Sequence, residues 1–94
     1  MDCLFCKLIR KEIPNFTVFE NDYVLAFLDI HPCCKGHTVV IPKKHLANLL
    51  EMTNEEWQNT MEGVREAMHK VRKVLNPDGM NIAVNDRAAG GQVV

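Results

Sequence analysis

The spacing of apolar residues switches from helical to alternating and back to helical along this chain. Leu4, Phe5, Leu8 and Ile9 fall at helical intervals, which predicts a short N-terminal helix halted by Pro14. Thr17 to Glu20 and Tyr23 to Leu28 are β-favouring runs separated by Asn21-Asp22, the composition of a hairpin turn. Pro32 and Gly36 bracket a loop, after which His37-Thr38-Val39-Val40-Ile41 reads as a third strand ended by Pro42.

Thr53-Asn54-Glu55-Glu56 has the form of a capping box, in which the Thr53 hydroxyl accepts from the Glu56 amide and the Glu56 side chain reaches back to the cap. A long helix should start there. Trp57, Met61, Val64, Met68, Val71 and Leu75 then recur at alternating steps of four and three, one apolar stripe that ends near Pro77 and Gly79. The simplest role for the stripe is core packing, although its near-heptad spacing also suits a second subunit. Met80 to Asn85 reads as a fourth strand, Ala88-Ala89-Gly90-Gly91 as a loop, and Gln92-Val93-Val94 as the opening of a fifth strand. The expected class is α+β: an antiparallel sheet of about five strands when complete, one long helix and a short N-terminal helix. No repeat or linker interrupts the pattern, so residues 1–94 are expected to form a single domain, with the C-terminal strand cut off.

Composition narrows the class of partner. A net charge of -1, from 11 basic and 12 acidic residues, sets up no field that would draw the chain to a nucleic acid polymer or an anionic membrane. With 47% hydrophobic and 24% charged residues the chain has a globular composition. No stretch approaches the roughly 18 apolar residues of a membrane span, and no basic segment precedes an apolar run at the start, so a cytoplasmic address is expected. A domain of this length buries a modest core, and oligomerisation is one usual supplement.

Several residues carry possible chemistry. Cys3-x-x-Cys6 places two thiols on one side of a helical turn, near enough to share a tetrahedral metal, and His45, just past a strand end, is a candidate third ligand. A structural zinc takes four ligands, so spacing alone leaves zinc, partly buried thiols and a redox pair open; the redox form is poorly served because no strand feeds the motif. Cys33 and Cys34 read as loop packing residues. Asp29, at the end of the second strand, can accept both protons of a ribose diol, or simply form a turn beside Pro32. Asn85 with Gly90-Gly91-Gln92 puts an amide and then a bare backbone at another strand end, where N–H groups can approach phosphate oxygens, but the segment lacks the Lys and Ser/Thr of a Walker loop. Among the histidines, His69 lies beside the helix stripe, His31 sits in a loop, and His37 opens a strand as a core group or a site group. No serine elbow or cysteine-nucleophile pattern accompanies them.

Taken in order, these pieces resemble the histidine-triad (HIT) family, and within it the small Hint-like and bacterial HIT proteins. The resemblance runs through Cys3-Leu4-Phe5-Cys6-Lys7, Ile13-Pro14, Phe27-Leu28-Asp29-Ile30-His31-Pro32, Gly36-His37-Thr38-Val39-Val40-Ile41-Pro42-Lys43-Lys44-His45 and Asn85-Asp86-Arg87-Ala88-Ala89-Gly90-Gly91-Gln92. It implies a purine mononucleotide (AMP- or GMP-like) site. Leu4, Phe5, Leu8, Phe27 and Ile30 match positions that sandwich the base, Asp29 the carboxylate that takes the ribose hydroxyls, and Asn85, Gly91, Gln92 and Val93 the segment beside the α-phosphate. His37 matches a histidine that supports the active-site imidazoles. Cys3, Cys6 and His45 match three ligands of a structural zinc site, and a homodimer is implied as well.

The family's His-x-His-x-His motif, which would follow Gln92-Val93-Val94, does not occur in these 94 residues. It holds the histidine that attacks the α-phosphorus and the fourth zinc ligand, so the chain alone is expected to be inactive. The implied activity of the parent protein is hydrolysis or nucleotidyl transfer at the α-phosphate of nucleoside phosphoramidates or dinucleoside polyphosphates, through a nucleotidyl-histidine. The alternatives are a non-catalytic nucleotide-binding module and a zinc-stabilised interaction module. His31 and the Cys33-Cys34 pair depart from the family pattern without touching the matched positions.

Overall fold

A computed structural model describes residues 4–29, 35–46 and 49–84. In chain order it contains α1 (Leu4–Ile9), β1 (Thr17–Glu20), β2 (Val24–Leu28), β3 (Thr38–Pro42), a 3-10 turn (Leu49–Glu51) and α2 (Asn54–Leu75). The three strands form one antiparallel sheet in the order β1-β2-β3. This is the expected α+β arrangement.

Local chemistry accounts for each boundary. After α1 ends at Ile9 the chain reverses at Lys11, which takes a left-handed conformation (φ 65), while the amide of Glu12 bonds back to the carbonyl of Lys7 at 3.0 Å. Backbone reversal therefore stops the helix before Pro14 is reached. The Asn21 side chain accepts from the amides of Tyr23 and Val24 at 2.8 and 2.9 Å, so Tyr23 belongs to the turn and β2 starts one residue later than its β-favouring run. His37 likewise precedes β3, whose ladder starts at Thr38.

β2 is the centre of the sheet. Val24, Leu25 and Ala26 are 0% exposed and Phe27 8%, an unbroken buried run that one-sided packing does not produce. Leu25 and Phe27 face α1, where they cluster with Leu8 and Ile41 and with the half-buried Phe5, Ile9, Ile13 and Val39. Val24 points to the opposite face and meets α2.

Helix α2 is 22 residues long and begins with the expected capping box: the Thr53 amide donates to Glu56 Oε1 at 2.9 Å and the Glu56 amide to Thr53 Oγ1 at 3.1 Å. Its buried positions differ from the apolar stripe. Thr60, Gly63 and Ala67 are buried, whereas Met61, Val64, Met68, Val71 and Leu75 are half-buried and Trp57 is 47% exposed. The reason is steric. A Cβ on Gly63 would lie 2.4 Å from Val24 Cγ2, so the helix rides directly on β2 at a line of small residues and the larger ones flank the contact. At the other end Asn76, left-handed at φ 44, closes the helix through its amide to the Arg72 carbonyl at 2.9 Å. The turn is made one residue before Pro77, and Gly79 takes no part in it.

The fourth strand expected at Met80 to Asn85 is not found over its described part. Residues 80–84 form no strand, and Met80, Ile82 and Val84 stand exposed. Alternation alone does not make a strand, because a strand requires a ladder partner, and none of the described strands pairs with this segment. Asn85, the 88–91 loop and the start of the fifth strand lie outside the described residues, so the described sheet has three strands. Among the described residues no helix is long and apolar enough to cross a membrane.

Candidate functional site

Sheet parity decides which candidate residues share a surface. Phe27 pairs with Val39 and Leu25 with Ile41, and these side chains face α1. Two residues beyond Phe27, Asp29 continues the same face; its amide donates to the His37 carbonyl at 2.9 Å, extending the β2-β3 ladder by one rung. His37, two residues before Val39, falls on that face too. Its Nδ1 lies 3.6 Å from Asp29 Oδ2, with both side chains about one third exposed. A carboxylate and an imidazole thus stand together at one end of the face whose middle is lined by Phe27.

The apolar candidates divide by burial. Leu8 and Phe27 are core residues, Phe5 is half-buried, and Leu4 is 46% exposed on α1. The rings of Phe5 and Phe27 are 6.4 Å apart at 58°, a tilted aromatic contact across the seam between α1 and the sheet. Leu8 and Phe27 back this seam, and Leu4 and Phe5 offer its accessible apolar surface. Ile30, Asn85, Gly91, Gln92 and Val93 lie outside the described residues, as do His31 and the Cys33-Cys34 pair.

The zinc expectation is corrected. Cys6 and His45 do meet across 39 positions of sequence, and Cys6 Sγ is 3.1 Å from His45 Nδ1. The pair is within thiol–imidazole hydrogen-bond distance. Among the described residues no group of three or more His, Cys, Asp or Glu side chains converges to hold a metal ion. Cys3 lies outside the described residues. Cys6 and His45 are thus two donors of the expected set, no third joins them among the described residues, and the expected zinc site is not found there.

Two glutamates away from this face are held by lysines. Glu20 is held by Lys11 Nζ at 2.7 Å and Lys43 Nζ at 2.8 Å, and these hydrogen bonds, Lys11 first, hold its carboxyl below the usual glutamate value. Lys44 bonds Glu56 at 2.7 Å and, with the Thr53 amide, lowers its carboxyl in the same way. A groove of about 260 Å³ runs between the β1-β2 turn and the start of α2, lined by Tyr23, Pro42, Lys43, Lys44, Glu56 and Thr60 among others; Asp29 and His37 do not line it.

One contact near the candidate site escapes pattern reading. Leu75 and Val71 of α2 pack against Gly36, the residue before His37. The stripe marks both as apolar, but nothing in their spacing says that their partner is a loop glycine and not a strand.

Comparison with known proteins places this arrangement. The HIT domain model matches residues 10–94. An uncharacterized HIT-like protein of Methanocaldococcus jannaschii is 47% identical over 92 residues, covering 98% of this chain and 70% of that protein. An adenosine 5'-monophosphoramidase of Schizosaccharomyces pombe is 37% identical over 94 residues, covering 100% of this chain and 68% of that enzyme. The crystal structure of a HIT family member from Bacillus subtilis superposes with a TM-score of 0.95 at 40% identity, over 100% of this chain and 67% of that chain. The chain thus spans about two thirds of the length of the proteins it matches, and another relative, Protein hit of Bacillus subtilis, is covered over 64% of its length. With a match through the whole sequence and a backbone that follows a solved member closely, the chain belongs to the HIT family.

Proposed function

We propose that this chain is the nucleotide-holding part of a purine nucleotide hydrolase or nucleotidyl transferase that acts at the α-phosphate of nucleoside phosphoramidates or dinucleoside polyphosphates. The observation that carries this reading is the placement of Asp29 beside His37 at the end of the sheet face lined by Phe27. A purine has two flat apolar faces and a ribose has a vicinal diol; an aromatic seam ending in a carboxylate matches both. The relative named as an adenosine 5'-monophosphoramidase supports the reaction class.

In this reading Leu4, Phe5, Leu8, Phe27 and Ile30 enclose the base and Asp29 accepts the ribose hydroxyl protons. Asn85, Gly91, Gln92 and Val93 hold the phosphate, and His37 supports the reacting imidazole. A histidine nitrogen of the parent protein attacks the α-phosphorus while the bond to the leaving group breaks. With a phosphoramidate the leaving nitrogen takes up a proton and departs as an amine. Water then cleaves the phosphorus–histidine bond, releasing the nucleotide and restoring the imidazole. No histidine of the family's triad motif occurs among these 94 residues, so in this reading the chain alone does not turn over substrate.

We further infer a homodimer, supported by the exposed Trp57 and the half-buried Met61, Val64 and Met68 on α2, and a cytoplasmic address, which rests on the sequence alone. Sedimentation of the protein that contains this chain, compared with its Trp57→Glu variant, measures that part.

Calorimetry with AMP on that protein tests the nucleotide reading. Asp29→Ala is expected to weaken AMP binding at least tenfold, on the order of 1.4 kcal/mol or more for two charge-assisted hydrogen bonds. Affinity unchanged in Asp29→Ala would overturn the assignment. Mass spectrometry during turnover of an adenosine phosphoramidate is expected to show a histidine adduct of one nucleotidyl group; tight binding without turnover would instead favour the non-catalytic module.

A further inference from the structure

Gly36 is gripped from two sides. Its φ of +86 lies in the left-handed region that suits glycine. On one side the Thr38 hydroxyl donates to its carbonyl at 2.9 Å. On the other, the last turn of α2 fills the space where a side chain would be: a Cβ built on Gly36 would lie 2.6 Å from Leu75 Cδ1 and 3.5 Å from Val71 Cγ1. The next residue is His37, whose carbonyl receives the Asp29 amide at 2.9 Å and whose ring stands 3.6 Å from the Asp29 carboxylate. A continuous chain of contacts therefore runs from the end of α2, through a glycine with no side chain of its own, to the imidazole–carboxylate pair.

We propose that Leu75 is a positioning residue for the nucleotide site: by seating on Gly36 it sets the backbone rotation that aims His37 at Asp29. The proposal rests on the nucleotide reading above. In this proposal Leu75 acts through Gly36, the residue it packs against. Thr38 alone leaves the carbonyl side of the glycine held and its α-carbon face open, so the helix end supplies the second restraint. Small displacements matter here, because misplacing a reacting or binding group by about 1 Å can cost roughly a hundredfold.

The test uses the protein that contains this chain and four variants: Leu75→Ala, Leu75→Met, Thr60→Ala as a buried comparison on the same helix, and Val74→Ala as an exposed neighbour. Two quantities are read, the AMP dissociation constant and the His37 ring resonances of the ligand-free protein. Leu75→Ala is expected to weaken AMP binding about five- to tenfold and to move the His37 resonances. Leu75→Met should return both to within about twofold of wild type, since a volume-conserving swap refills the seat. Thr60→Ala should lower the melting temperature but leave both readouts in place, and Val74→Ala should change neither. Should Leu75→Ala fail to fold, Leu75→Val carries the same comparison with a smaller effect. Loss of melting temperature in Leu75→Ala with AMP affinity and His37 resonances at wild-type values would overturn the proposal. If the wild type binds no AMP, the nucleotide reading fails, and the His37 resonances by themselves decide whether Leu75 sets the ring.

Discussion

β2 and α2 solve the same problem, burying apolar surface in a small chain, by opposite means. β2 is five residues long and buries four of them, Val24 to Phe27. α2 is 22 residues long and buries three, Thr60, Gly63 and Ala67, none of them large. Covered on both faces, β2 takes its stability from side-chain volume. α2 takes its place from the lack of volume: Gly63 lets the helix approach until Val24 fills the gap. The lesson is that a strand core is written in its large residues and a close helix–sheet contact in its small ones, so the two elements should answer differently to the same kind of mutation.

The largest expected effect is on the strand. Leu25→Ala opens a cavity at a fully buried position between α1 and the sheet, at a cost of about 3 kcal/mol in urea unfolding. Next is the helix, where the sign is the informative part. On an exposed helix Gly→Ala would stabilise by about 1 kcal/mol, but here the new methyl meets a valine that is 0% exposed. Overpacking costs about 1–3 kcal/mol, so Gly63→Ala should destabilise by about 1 kcal/mol net. Measured in a Val24→Ala background, which is itself destabilised, Gly63→Ala should cost about 1 kcal/mol less, a favourable coupling in a double-mutant cycle. Additive energies, or a stabilising Gly63→Ala, would break the contrast between the two elements.

The same contrast explains what was legible in the sequence. The hairpin, the third strand and the capping box each follow from local chemistry: the Asn21 turn, the β-branched run before Pro42, and Thr53 with Glu56. The identity of the buried helix face was not legible, because the Trp57 to Leu75 stripe has the right period but is rotated from the line Thr60-Gly63-Ala67 that touches β2. A hydrophobicity pattern gives a glycine no weight, although at close approach the glycine decides the geometry. The end of α2 at Leu75 follows from the stripe, but the residues that make the reversals do not: Lys11 and Asn76 adopt left-handed backbone, a role that composition attributes to proline or glycine. At the candidate site, the Asp29–His37 pair needs the β2-β3 register, which joins residues eight positions apart and which motif order suggests only by resemblance. Cys6 and His45 are legible as partners from motif order, but that no third donor joins them among the described residues is three-dimensional information.

A third effect sharpens the helix side. Thr53→Ala removes the hydroxyl that accepts the Glu56 amide and should cost about 1 kcal/mol, comparable to the Gly63 effect although Thr53 is exposed. Thr53→Ser keeps the acceptor and should cost much less. Equal losses in the two variants would mean that the cap contributes through packing and not through its hydrogen bond.

The smallest effect returns to the sheet, at its β1 edge. Glu20 is bonded first by Lys11 and then by Lys43, and both favour its ionised form, so its folded carboxyl titrates below the ordinary value of 4.5. The unfolded chain therefore binds a proton here before the folded chain does. Stability from this group is fully present above the ordinary value and is lost as pH falls through the depressed one. Glu20→Gln removes the charge and with it that part of the acid sensitivity, leaving neutral-pH stability lower by less than about 1 kcal/mol after solvent screening. Urea midpoints measured from pH 7 down to pH 3 should thus converge between wild type and Glu20→Gln on the acid side, with the gap at pH 7 narrowing in high salt. Glu56, lowered first by Lys44 at the start of α2, should behave in the same direction. If the acid limb is unchanged in Glu20→Gln and flattened only in Glu56→Gln, the helix cap and not the strand edge carries the acid response.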